Sequence, residues 1–72
     1  GTIGHSLSLG KADGCVIISG DTSLADAVAT AACNRVKNKK DIKPALKFAL
    51  SIDGVKGALV VYKKDFGVSG RI

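Results

Sequence analysis

Asp26 and Thr30 stand four residues apart in Ala25-Asp26-Ala27-Val28-Ala29-Thr30, and Asn34 extends the line by the same interval. On a helix that spacing puts side chains on one face, one turn apart. A carboxylate and a hydroxyl so placed can both reach one hard cation, which takes oxygen ligands and completes its shell with water and phosphate oxygens. The same residues also have a structural reading. Ser23-Leu24-Ala25-Asp26 is the acidic form of a capping box, and a helical threonine can return its hydroxyl to the preceding turn. Both readings stand on the sequence.

His5 is the one histidine of the chain. It lies in an alternating stretch with apolar neighbours on its parity. There it serves either as a hydrogen-bonded structural residue or as a phosphate contact or proton-transfer group. The segment Gly4-His5-Ser6-Leu7-Ser8-Leu9-Gly10-Lys11-Ala12 invites comparison with the phosphate loop G-x-x-x-x-G-K-[ST]. Five residues separate the glycines here, and Ala12 stands where the magnesium-binding hydroxyl belongs. An ordinary P-loop ATPase is therefore excluded. Cys15 and Cys33, the two cysteines, supply no disulfide framework and, with a single histidine, no closed zinc site. They read as small buried apolar residues. Cys33, beside Asn34 and near Arg35, is also open to a reactive-thiolate reading. Isolated thiols fit a reducing, cytoplasmic compartment.

The elements that must position these residues follow from pattern. Residues 2–9 alternate as a strand, with Ile3, His5, Leu7 and Leu9 on one parity and Ser6 and Ser8 on the other. Gly10 to Gly14 reads as a turn, and Cys15-Val16-Ile17-Ile18 as a short buried strand. A helix is expected over 24–37 with Ser23 as N-cap and Leu24, Val28, Ala31, Ala32 and Val36 as its apolar stripe. A break falls at Asn38-Lys39-Lys40. A second helix follows Asp41, with Pro44 in its first turn and Ile42, Ala45, Leu46 and Ala49 at helical spacing. Asp53-Gly54 ends it. Strands over 57–62 and 66–72 flank the polar turn Lys63-Lys64-Asp65. The order is strand, strand, helix, helix, strand, strand, an α+β arrangement without the regular alternation of a doubly wound sheet.

Composition sets the outer limits. The chain has 72 residues, a formal charge of +5, eleven Lys and Arg against six Asp, and no Glu or Met. A domain this short buries only about 60% of its unfolded surface. The missing methionine and the lack of staples lead us to expect part of a longer polypeptide. Arg35, Lys37, Lys39, Lys40, Lys43 and Lys47 form a basic run around the interhelix break. It reads as a solvated face or as a patch for a polyanion or acidic partner. With only Phe48, Tyr62 and Phe66 as aromatics, nucleic acid is not the expected partner. No apolar stretch is long enough to span a membrane.

Two segments in order resemble a known family. Gly1-Thr2-Ile3-Gly4-His5-Ser6-Leu7-Ser8-Leu9-Gly10-Lys11-Ala12-Asp13 resembles the glycine-histidine segment of an uncharacterised ApbE-related family of archaea and bacteria. Leu24-Ala25-Asp26-Ala27-Val28-Ala29-Thr30-Ala31-Ala32, followed by Asn34-Arg35-Val36, resembles the Ala-Asp-x-x-Ala-Thr helix of the same superfamily. Its better-known members, the FAD:protein FMN transferases, move FMN from FAD onto a threonine hydroxyl of an acceptor protein with magnesium. The resemblance implies metal ligation by Asp26 and Thr30, and contact of Gly4 and His5 with the phosphates of FAD or FMN. His5 would supply the phosphate contact or proton transfer, while a cation neutralises charge on the pyrophosphate. It also implies that residues 1–72 are the C-terminal portion of a larger, T-fold-like α+β domain. The N-terminal portion would come from the same polypeptide or from a second chain, in an oligomeric assembly. Ser6-Leu7-Ser8-Leu9-Gly10 departs from the Asp-Pro-x-x-Gly type sequence of the transferases. This chain by itself is accordingly expected to be inactive. The alternatives are a non-catalytic accessory or interaction protein of the same fold, and a small basic nucleic-acid-binding module.

Overall fold

A computed structural model describes residues 4–8 as backbone and residues 12–71 in full. Expectations that fall on Thr2, Ile3, Leu9, Gly10, Lys11 and Ile72 lie outside the described residues. The strands are β1 (Gly4–Ser8), β2 (Gly14–Ser19), β3 (Val55–Tyr62) and β4 (Asp65–Gly70). Helices α1 (Thr22–Arg35) and α2 (Ile42–Ser51) lie between β2 and β3, joined by one 3-10 turn at Lys39–Asp41. The four strands form one antiparallel sheet in the order β1-β2-β3-β4. The expected α+β class and the β-β-α-α-β-β order are both present.

Strand alternation separates the two faces of the sheet. Cys15, Ile17 and Ser19 of β2 are buried, as are Ala58 and Val60, which pair with Ile17 and Cys15 across the β2–β3 ladder. Both helices pack on this face. α1 contributes Ala25, Val28, Ala29, Ala32 and Cys33, a stripe of small side chains that brings its axis close to β1 and β2. α2 contributes Ile42, Ala45, Leu46 and Ala49, as its spacing predicts, and lies against β3 and β4. Gly67 of β4 permits that approach. A Cβ there would stand 2.6 Å from Ile42 Cγ2 and 2.7 Å from Leu46 Cδ1.

Several boundaries differ from the sequence expectation, each for a local reason. The N-cap of α1 is Asp21, not Ser23. Its carboxylate accepts a hydrogen bond from the Leu24 amide at 3.0 Å, which starts the helix at Thr22. The helix ends at Arg35, not Lys37, because Val36 turns into extended backbone and is fully buried. The buried stripe is rotated from the expected one: Ala25, Ala29 and Cys33 are inside, while Leu24 and Ala31 are only partly so. Asp41 precedes α2 without capping it and instead accepts from the Lys37 amide at 2.9 Å.

Ser19 joins three elements. Its hydroxyl donates to the Gly54 carbonyl at 2.8 Å and accepts from the Asp21 amide at 3.1 Å. It is the one buried polar residue among those described, and both of its bonds hold backbone groups that would otherwise be left unpaired.

Candidate functional site

Helix α1 presents the candidate metal ligands. With Ala25, Val28, Ala29, Ala32 and Cys33 turned to the sheet, Asp26, Thr30 and Asn34 fall on the exposed side at intervals of one turn. Because Asp21 is the cap, Asp26 is the fifth residue of the helix and lies outside the capping box that the sequence allowed. Thr30 does make the back-bond expected of a helical threonine. Its Oγ1 donates to the Asp26 carbonyl at 3.1 Å. That bond commits the hydroxyl proton to the helix and leaves the oxygen lone pairs as acceptors, the condition a threonine must meet to ligate a cation. No group of three His, Cys, Asp or Glu side chains suited to a metal gathers among the described residues. Asp26 and Thr30 together offer two hard oxygen donors. That set suits magnesium, whose shell is largely water and phosphate oxygen.

Gly4 and His5 lie on β1, opposite Ser19 and Ile18 respectively. The side chains of β1 are outside what is described. The backbone register nevertheless puts Gly4 beside the residue that leads into the α1 N-cap, so the start of β1 and the start of α1 share one end of the sheet.

A concavity among the described residues lies away from these residues. A shallow groove of about 1120 Å³ runs between α2 and the edge strand β4. Ile42, Leu46 and Leu50 line its apolar wall, and Lys39, Lys40, Lys43 and Lys47 line its rim. The predicted basic run is thus exposed throughout, from Arg35 to Lys47. Arg35 rests its guanidinium 3.8 Å from the centroid of the Phe48 ring, and the Tyr62 hydroxyl donates to the Lys37 carbonyl at 3.0 Å. Sequence reasoning missed the groove. The signal for it was Gly67, an interruption in a strand where a helix comes close.

Neither cysteine is in a disulfide, and both are completely enclosed. Burial pushes the Cys15 thiol from an ordinary 9.0 up to about 12, with the neighbouring Cys33 thiol adding to the effect. Cys33 Sγ donates to the Ala12 carbonyl at 3.6 Å. Cys15 therefore stays protonated and behaves as a core residue rather than a nucleophile.

Residues 1–67 match the family model described as AbpE bacteria. The chain belongs to the AbpE bacteria family. It is 44% identical to a UPF0280 protein of Methanosarcina acetivorans, with all of this chain and 29% of that protein covered. It is 41% identical to a UPF0280 protein of Methanosarcina barkeri, again over all of this chain and 29% of the relative. A UPF0280 protein of Methanocaldococcus jannaschii is 38% identical over 99% of this chain and 30% of its own length. The chain thus spans under a third of the relatives that it matches. No solved structure matches it significantly. Among the described residues of this AbpE family member, no helix is long and apolar enough to cross a membrane.

Proposed function

We propose that this chain is the C-terminal portion of an ApbE-like, T-fold-like domain that binds magnesium and a phosphate-bearing ligand, with FAD or FMN as the ligand class. The observation that carries the reading is the exposed Asp26–Thr30 pair on α1, with Asp26 outside the cap and the Thr30 proton committed to the helix backbone. Asp26 and Thr30 would hold the cation. Gly4 would meet the ligand phosphates at the end of the sheet where α1 begins. The position of His5, opposite Ile18, belongs to the face turned away from the helices, so His5 would have to meet them around that end of the sheet. When bound, the metal would neutralise charge on the pyrophosphate. The protein's part is to orient the ligand along α1 and, at His5, to contact a phosphate or carry a proton.

The complete protein would need the N-terminal portion, supplied by the same polypeptide or by a second chain. Transfer of FMN to an acceptor hydroxyl is the reaction class that the ApbE resemblance suggests for it. A reducing, cytoplasmic setting suits two thiols that form no disulfide. The test is to titrate FAD into the full-length protein while following flavin fluorescence, once with magnesium and once with a chelator. Quenching that requires magnesium supports the reading. Quenching indifferent to the metal, or none at all, removes it.

A further inference from the structure

The sheet face turned away from both helices is apolar. On β2, β3 and β4 the residues of that parity are Val16, Ile18, Leu59, Val61, Phe66 and Val68, and the remaining positions are glycines. None of them carries a charge. The first four are partly exposed, Phe66 is 70% exposed and Val68 47%. An antiparallel sheet with one wet face shows apolar and polar residues in alternation, whereas strands buried on both sides read as continuous apolar runs. Cys15-Val16-Ile17-Ile18 and Ala58-Leu59-Val60-Val61 are runs of the second kind. A contiguous apolar patch across three strands marks a surface that meets another surface.

We infer that this face is the docking surface for the remainder of the family-length polypeptide, which packs on it as a third layer. The occupant is indicated by length. This chain spans 29% of the Methanosarcina acetivorans relative, so most of such a polypeptide lies outside the elements described. The inference rests on the reading that the chain is part of a larger domain, and it assigns the surface that joins the parts. Val16, Ile18, Leu59 and Val61 form its centre, with Phe66 and Val68 at the β4 edge. The patch is bounded at its far end by Gly57, which is buried against the Arg71 backbone.

The experiment places p-benzoylphenylalanine at position 66 of the full-length protein, irradiates it and maps the product by mass spectrometry. A cross-link within one chain, to a peptide from outside this sequence, is expected. A cross-link between two copies overturns the inference. If no cross-link forms, a Val68→Cys variant decides. Maleimide labelling of the native protein, dilute enough to be monomeric, should be slower than in denaturant by roughly tenfold or more. Equal rates mean that the face is open to water, and the inference fails. Magnesium-dependent FAD binding is measured on the same samples. Cross-links without FAD binding leave the docking intact and remove the ligand, and FAD binding with an open face does the reverse.

Discussion

Neighbouring residues of one strand meet different surroundings. Ile17 is wholly enclosed beneath α1, while Ile18, the next residue and the same side chain, faces away from both helices and remains partly exposed. The contrast repeats in β3, where Ala58 and Val60 are sealed and Leu59 and Val61 are not. The larger hydrocarbon of β3 lies on the uncovered side. Hydrophobicity alone thus does not decide which side the helices take. The ββααββ connection places both helices on one face, and small residues there, from Ala25 to Cys33 on α1, let them sit close. The other face keeps the composition of a core without a covering layer.

Substitution at the Ile17–Ile18 pair breaks or sharpens that contrast most strongly. Ile17→Ala should cost about 2–5 kcal/mol by loss of buried hydrocarbon and creation of a cavity. Ile18→Ala in the full-length protein should cost a similar amount, measured by denaturant unfolding. A loss below about 0.5 kcal/mol, the range of ordinary surface substitutions, would show that the face stays wet.

Ser19 is next in size. Ser19→Ala leaves the Gly54 carbonyl and the Asp21 amide without their partner, at a cost of about 1–3 kcal/mol. Hydrogen exchange at Asp21 should accelerate with it; a variant as stable as the parent would mean that water replaces both bonds.

Two aspartates of α1 supply a smaller contrast. Asp21→Ala removes the cap and should cost about 1 kcal/mol. Asp26→Ala, on the exposed side and outside the capping box, should cost less than Asp21→Ala. The reverse order in thermal unfolding would restore the capping reading of Asp26.

The smallest effect at neutral pH comes from Cys15. Its folded-state thiol lies above the unfolded value, so the associated stability is intact below pH 9 and is lost as pH rises toward about 12. Cys15→Ala should flatten the alkaline limb of a stability–pH profile; an unchanged limb would place the titrating group elsewhere.

Much of this was legible in the chain. The apolar spacing of Ile42, Ala45, Leu46 and Ala49 gave α2 and its buried side directly, because few arrangements satisfy that period. The runs at Cys15–Ile18 and Ala58–Val61 marked strands but not their faces, since a continuous apolar run carries no alternation to read. Helix α1 was found but misregistered. Its alanines are small enough to suit either side, and Asp21 competed with Ser23 as the cap. The Asp26–Thr30 spacing was visible, whereas its freedom from the capping role became clear only once the helix start was fixed at Thr22. Ser19 gave no signal, because its partners, Gly54 and Asp21, come together only through the fold.

The most direct test of the proposed site compares parent and Asp26→Ala full-length proteins in FAD titrations at saturating magnesium and in chelator. The expected result is magnesium-enhanced binding in the parent and its loss in Asp26→Ala, with the circular dichroism spectrum unchanged. Equal magnesium enhancement in both proteins would contradict the assignment of α1 as the metal-bearing element.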